Sequence, residues 1–507
     1  MVGAALVAAL SGCAVGPDFQ PPPAPDVAAY TAEPLGRTAS AEVAAGGQAQ
    51  RFVDDMQIPA QWWTVFNSPA LTALVERSLA NNPTVPAAQA ALKVALETVY
   101  AQAGSFFPAI DGSFTPTRQK TSSSLSPVPS QNINVFSLYT GQLSLSYMPD
   151  VFGLNRRTLE SLQAQADNQR FQLEATYLTL SSNVVASAIQ EASLRDQIKA
   201  TEDSITFGRE ALTLLQRQLK AGFAAGLDVA AQEAQLAQTE ATLPPLQKQL
   251  AQQRDLLAAL AGAFPNEPAQ TFELDSLQIP TNLPVSLPSK LVRQRPDIRA
   301  AEASLQSASA QIGVAIANRL PNLTLNATWG TAALRSDQLF GSGNGFWSLS
   351  GTVTQSIFDG FALLHKERAA RAAFDQAAAE YKSTVITAFQ NVADSLLALK
   401  YDADALKAAA EAERATRVQR DITRRQLDLG QVNYLSLIQA QQTYLAAVVN
   451  RIQAQATRDA DVAGLFQALG GGWWNRPPPE PGSPVAKVEA AERSFWQTIA
   501  DTIFPWR

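Results

Sequence analysis

One stretch of the chain occurs twice, and this repeat restricts the possible folds more than any other feature. Residues 218–236 read QLKAGFAAGLDVAAQEAQL, and residues 426–444 read QLDLGQVNYLSLIQAQQTY. A spacing of 208 residues aligns Gly222 with Gly430. Glycine commonly ends a helix in a left-handed turn. Each copy therefore predicts a helix, a turn at Gly222 or Gly430, and a helix that runs back, so the chain is predicted to be internally duplicated.

Two segments lack nearly all of the residues that end helices. Residues 154–221 contain Gly208 as their only glycine or proline, and residues 361–429 contain neither. Apolar residues in the first segment recur at steps of mostly three and four, which is typical of an amphipathic helix. A helix of about 65 residues is roughly 100 Å long. The returning helix of the first copy contains Pro244 and Pro245, which are expected to kink or break it.

Each long hairpin is preceded by two segments with the period of a β-strand. The pattern predicts strands at about 109–119 and 136–149, and again at about 322–331 and 346–357. Large apolar residues alternate there with serine, threonine and other polar residues, which suits a strand between lipid and a watery lumen. A strand of a β-sandwich alternates similarly. The repeated pairs favour an α+β membrane protein with two β-strands and a long α-helical hairpin in each half.

Composition excludes several classes of protein. The 507 residues carry a net charge of −6 and include one cysteine and one histidine, so neither a disulfide within the chain nor a Cys/His zinc site is possible. The acidic balance does not favour nucleic-acid binding. His365 lies among charged residues of a long helix, and the glycine-rich residues 341–345 join two strands, unlike a phosphate-binding loop. We expect no enzyme and no cofactor. The predicted function is that of a conduit.

The two ends of the chain differ from the repeats. Residues 1–13 are apolar and end in LSGC, which resembles a bacterial lipobox and predicts acylation of Cys13 as the mature N-terminus. Residues 14–60 are rich in alanine and proline and indicate an extended linker. Residues 475–507 indicate a proline-rich linker followed by a short amphipathic helix.

Together these features resemble the TolC-type outer-membrane factors of tripartite efflux systems, in their NodT-like lipoprotein branch. The resemblance divides the chain into two outer-membrane efflux repeats, at 61–262 and 263–474. It implies a homotrimer whose 12-stranded β-barrel continues into a periplasmic α-barrel. It also implies a lipid-anchored outer-membrane location, with a periplasmic adaptor (a membrane fusion protein) and an inner-membrane pump as partners. The motifs that carry the resemblance are CAVGPDF at 13–19, WW with F at 62–66, RPDIRAAE at 295–302 and LFQALGGGW at 465–473.

The resemblance also implies where a pore gate lies. In the family, residues just after the tip glycine form constricting rings. The aligned positions here are Asp228 in the first copy and Leu435, Ser436 and Gln439 in the second. Family members often carry acidic residues at the last two positions, so this sequence predicts a gate that is less acidic and more hydrophobic. Three symmetry-related carboxylates from Asp228 would attract cations.

Two alternative functions remain open from the sequence. The same fold serves as the outer channel of type I protein secretion. A periplasmic adaptor lipoprotein also has a helical hairpin, but it would show one hairpin rather than two hairpins with strand pairs. Four strands per chain cannot close a membrane barrel, because single-chain barrels begin at about eight strands. A dimer would supply eight strands and a trimer twelve, and the resemblance favours the trimer.

Overall fold

The computed structural model describes residues 14–43, 46–122, 135–267 and 270–476. Within these ranges the chain forms six strands and eight α-helices. The strands are β1 (Arg51–Asp54), β2 (Ala109–Lys120), β3 (Val135–Tyr147), β4 (Asn282–Val285), β5 (Asn322–Ala333) and β6 (Gly345–Thr354). The helices are α1 (Pro69–Asn81), α2 (Thr84–Ala103), α3 (Leu154–Lys220), α4 (Gly226–Leu260), α5 (Pro288–Gln294), α6 (Pro296–Ala317), α7 (Ala362–Asp428) and α8 (Tyr434–Ala468).

The two helical hairpins have equal dimensions. Helices α3 and α7 each contain 67 residues, and their returning partners α4 and α8 each contain 35. Every boundary of the second hairpin lies 208 residues after its counterpart in the first. At 1.5 Å per residue, each long helix extends about 100 Å. These features confirm the internally duplicated fold with two strands and a long hairpin in each half. No helix in the described ranges is both long and apolar enough to cross a membrane.

The expectation that Pro244 and Pro245 break the returning helix was wrong. Helix α4 continues through both prolines, although neither residue can donate a backbone hydrogen bond. Contacts to α3 hold the helix on either side of them: Gln232 Nε2 donates to Gly208 O at 2.8 Å, and Gln253 Nε2 donates to Ser187 O at 3.1 Å. The prolines also do not set the length of α4, because α8 is equally long without them.

The four long strands form one antiparallel sheet in the order β2-β3-β5-β6. Strands β3 and β6 end two and three residues before the predicted limits of 149 and 357. In β6 the last paired residue is Thr354, because its partner Asn322 is the first residue of β5. Strand β3 ends before Pro149, because proline has no backbone N–H to donate to the ladder. The sheet's two outer strands, β2 and β6, have no strand partner on their outer edges among the described residues.

A core in the middle of the molecule brings the sequence motifs together. Trp62 is 1% exposed and stacks on Phe466 with ring centroids 5.6 Å apart. Arg295 forms a bidentate ion pair with Asp297 and donates to Ala468 O at 2.9 Å. The WW, RPDIRAAE and LFQALGGGW motifs are therefore packing elements. They join the start of each half to the end of the second hairpin.

The N-terminal segment, which the composition predicts to be an extended linker, packs against the body of the molecule. Strand β1 pairs in parallel with β4. Before it, Gly46 and Gln48 accept hydrogen bonds at 2.7 Å from Arg458, a fully buried residue of α8. Gln50 Oε1 accepts a third at 3.1 Å. Local composition could not reveal these contacts, because their partners lie about 400 residues away in the chain.

Candidate functional site

The two hairpin tips have the same backbone geometry. Gly222 and Gly430 adopt left-handed conformations, with φ of 81° and 69°. In the first tip Phe223 N donates to Gln218 O at 2.8 Å. In the second tip Gln431 N donates to Gln426 O, also at 2.8 Å. These bonds close the last turn of each long helix in the manner of a Schellman motif, so the predicted turns lie where the sequence placed them.

The returning helices begin with different caps. In the first tip the Asp228 carboxylate accepts a hydrogen bond from Ala225 N at 3.2 Å. In the second tip Asn433 Oδ1 accepts from both the backbone N (3.1 Å) and the hydroxyl (2.9 Å) of Ser436. The carboxylate of Asp228 and the side-chain oxygen of Asn433 therefore cap the two returning helices within a single chain, and Ser436 donates to the second cap. This local role is compatible with a further role in the pore, because Ser436 is exposed and Asp228 is only half-buried.

The other two predicted gate residues are also at the surface. Leu435 is 50% exposed, and Gln439 is exposed one turn further along α8. Sequence reasoning missed two apolar residues of the first tip: Leu227 is 78% exposed and Phe223 is 85% exposed. The spacing of 208 residues aligns Leu227 with the predicted gate residue Leu435, so Leu227 could have been identified from the repeat.

The two tips lie at the same end of the molecule, because the hairpins run side by side. Gln232 and Leu236 of α4 line a cavity of about 770 Å³ together with Ile438 and Gln441 of α8. The four predicted gate residues therefore lie on neighbouring hairpin ends.

The opposite end of the molecule is the four-stranded sheet, which has one apolar and one polar face. Across the register, Leu143 lies opposite Trp329, and Trp329 lies opposite Trp347. Large apolar side chains on this face are at least 49% exposed: Ile110, Phe114, Leu143, Trp329, Trp347, Leu349 and Val353. The other face carries Ser113, Thr115, Ser144, Ser146, Asn326, Thr328, Ser348, Ser350 and Thr352. This is the pattern of strands with lipid on one side and water on the other.

The described N-terminus lies where the sheet meets the helices. Val15 N donates to Phe152 O at 3.1 Å, just before α3 begins. Arg157, whose side chain is 6% exposed, donates to the carbonyl oxygens of Val15 and Gly16 and to the Asp18 carboxylate at 2.7 Å. Cys13, the predicted acylation site, lies outside the described residues.

Comparisons with known proteins agree with this architecture. The family model for outer membrane efflux proteins matches residues 74–263 and 287–471. The toluene efflux pump outer membrane protein TtgF of Pseudomonas putida is 32% identical over 482 residues, 93% of this chain and 96% of that protein. The pyoverdine export outer membrane protein OpmQ of Pseudomonas aeruginosa is 31% identical over 427 residues, 82% of this chain and 87% of that protein.

A solved structure shows the same fold. The outer-membrane channel OprN aligns with a TM-score of 0.80 at 27% identity, covering 91% of this chain and 100% of that chain. These comparisons confirm the resemblance to TolC-type outer-membrane factors. The chain belongs to the outer membrane efflux protein family and is an efflux channel of the outer membrane.

Proposed function

We propose that this chain is the passive outer conduit of a tripartite efflux system, receiving small molecules from an inner-membrane pump and a periplasmic adaptor. One observation carries the proposal: a sheet with an exposed apolar face continues into two helical hairpins that extend about 100 Å. A sheet of this kind suits a membrane, and hairpins of this length suit a tube through the periplasm. In this arrangement the inner-membrane pump, and not this chain, would perform the chemistry of transport.

A homotrimer would complete the channel. The sheet leaves β2 and β6 with unpaired outer edges, and an open edge cannot face lipid. Because the four strands alternate in direction, β6 of one chain can pair with β2 of the next in the same antiparallel pattern. Three chains would then supply twelve strands and remove every edge. The same symmetry would bring six hairpin tips together around one axis.

Acylation of Cys13 fits the position of the residues that follow it. Gly153 lies so close to Ala14 that a Cβ on the glycine would be 2.7 Å from the Ala14 Cα. The chain therefore emerges beside the first turn of α3, at the end of the sheet where all four strands meet the helices. Acyl chains attached one residue earlier would enter the inner leaflet next to the barrel.

The gate of this conduit would lie at the hairpin tips. Leu435 would supply a hydrophobic ring, with Ser436 and Gln439 as neutral polar neighbours and Asp228 as the main acidic contribution. The exposure of Leu435, Ser436 and Gln439 in the single chain supports this assignment, because residues that line a pore or meet symmetry mates are exposed in a protomer. Closure would then depend on packing and dewetting more than on charge.

The relatives indicate the class of substrate. TtgF is named for toluene and OpmQ for pyoverdine, and both names refer to small molecules. We propose small-molecule export for this chain as well, ahead of protein secretion.

Complementation of efflux tests the proposal. The chain would be expressed with the pump and adaptor encoded beside its gene, in a bacterium that lacks its own outer efflux channel. Accumulation of ethidium in the cells should fall when all three components are present, and omission of this chain should restore it. Unchanged accumulation, despite trimers in the outer membrane and production of both partners, would count against the conduit.

A further inference from the structure

An open groove of about 1200 Å³ lies at the middle of the molecule. Trp63 forms part of it, is 7% exposed, and has an indole N–H without an acceptor among the described residues. The indole of the adjacent Trp62 donates to Ser181 Oγ at 3.2 Å. Buried indole groups usually find a partner. The groove walls include Trp63, Leu79, Tyr177, Leu178, Trp473 and Arg476.

The described chain ends on the rim of this groove. The guanidinium of Arg476 donates to both carboxylate oxygens of Glu174, at 3.1 and 2.9 Å. It also lies over the Tyr177 ring, 5.4 Å from the centroid. These contacts fix the point from which residues 477–507 continue.

The sequence beyond this point has a proline-rich part and an apolar part. Residues 477–484 read PPPEPGSP, which in an extended polyproline conformation reaches about 25 Å. Further along, Phe495, Trp496, Ile499 and Ile503 share one face of a helix, and Gln497 lies on the opposite face. The family model ends at residue 471, so the family's matched region does not include this segment.

We propose that the segment 485–507 docks in this groove on the same chain through its apolar side chains. Its large apolar side chains would cover the aromatic wall around Trp63 and Tyr177. The short linker favours the chain's own groove, because attachment of this kind gives an effective concentration of about millimolar.

Photo-crosslinking of the full-length acylated protein in outer-membrane vesicles tests this docking. Glu76 is exposed, lines the groove and would be replaced by p-benzoylphenylalanine. A matched control carries the same probe at Val94, which is 67% exposed on α2 and outside the groove. Illumination should link the probe at Glu76, but not the probe at Val94, to peptides from residues 485–507.

Mixing isotopically light and heavy chains before assembly identifies the source of the linked segment. Links within one isotope class support docking on the same chain. Links mainly between classes would overturn it in favour of the neighbouring subunit. Links to phospholipid alone, or none from Glu76, would also overturn it.

Two variants test the apolar face directly. Phe495→Glu combined with Ile499→Glu places carboxylates against an apolar wall, so the yield of the cross-link should fall roughly tenfold. Gln497→Glu adds a charge on the opposite face and should leave the yield unchanged. Native mass of each variant confirms that it has assembled. An equal yield from the double variant and the parent would refute the proposed contact.

Discussion

At the scale of single residues, the ionisable side chains of α8 show how the helical body accommodates charge. Arg458 is fully buried, and burial lowers its pKa, but three acceptors of the N-terminal segment surround its guanidinium. The next residue, Asp459, is also fully buried, and its carboxylate has no hydrogen-bond partner in the described part of the chain. Burial raises the pKa of Asp459 well above its usual value. Burial therefore disfavours the charged form of both side chains.

Asp461 makes a pH-dependent contribution to stability. Burial and the neighbouring Asp402 raise the pKa of Asp461 to about 7 from an ordinary 3.8. The folded chain thus retains a proton that the unfolded chain releases, so stability should fall as the pH rises from about 4 to about 7 and then level off. Asp461→Asn should remove this part of the pH dependence of the melting temperature.

The control for this measurement is Asp404→Asn, which changes an exposed carboxylate on the partner helix α7. Its melting temperature should vary with pH as that of the parent does. An Asp461→Asn protein with the parent's full pH dependence would show that Asp461 is not the titrating group.

Conductance measurements in planar bilayers can distinguish the roles of the gate residues Leu435 and Asp228. Leu435→Ala should raise the resting conductance by widening a hydrophobic constriction. Asp228→Asn keeps an oxygen that can accept from Ala225 N, so it should preserve the helix cap while lowering cation preference. If Asp228→Asn opened the pore and Leu435→Ala did not, the constriction would be ionic and the two assignments would be wrong.

At the scale of elements, each hairpin depends on one glycine whose backbone is left-handed. A Cβ at Gly430 would meet no heavy atom within 4 Å, so conformation rather than space requires glycine there. The same holds at Gly222. The side-chain caps differ between the tips, because the two returning helices begin with unlike caps at Asp228 and Asn433.

Substitution of the tip glycine should weaken the tip locally. Gly430→Ala forces a side chain into the left-handed region and should cost about 1 kcal/mol. Hydrogen exchange of the tip amides should become faster. Gly226→Ala is the control, because Gly226 begins α4 in open space and alanine is the better helix former. Equal exchange in the two variants would show that the left-handed turn does not limit tip stability.

At the scale of the whole molecule, the protomer is incomplete in two ways. In the part of the chain that the structure describes, the sheet has two open edges and an exposed apolar face, and the hairpin tips expose leucine and phenylalanine. Self-association through β2 and β6 would complete the sheet, whereas lipid and the adaptor would cover the remaining apolar surfaces. Because the sheet would supply the membrane contact, we expect the proposed lipid at Cys13 to be an accessory to insertion.

Mass measurement in detergent tests both expectations. The protein should have the mass of three 54.2 kDa chains, less the signal residues. Cys13→Ser, secreted with a cleavable signal, should still give membrane-inserted trimers. A monomer or dimer of the parent would contradict the twelve-stranded barrel. Recovery of the variant only as soluble monomer would show that the strands do not insert without the lipid.

The features that the sequence determined are local. The left-handed turns at Gly222 and Gly430 follow from residue type, and the helices and strands follow from the period of apolar residues. The spacing of 208 residues predicted the duplication.

Tertiary structure decided what depends on partners far away in the chain. Helix α4 continues through Pro244 and Pro245, and the N-terminal segment accepts hydrogen bonds from Arg458. The tertiary structure also showed that Leu227 is exposed at the position equivalent to Leu435. The physical reason is one of range. Turn conformation and periodicity are set within a few residues, whereas packing, burial and the satisfaction of buried hydrogen-bonding groups exist only once distant segments meet.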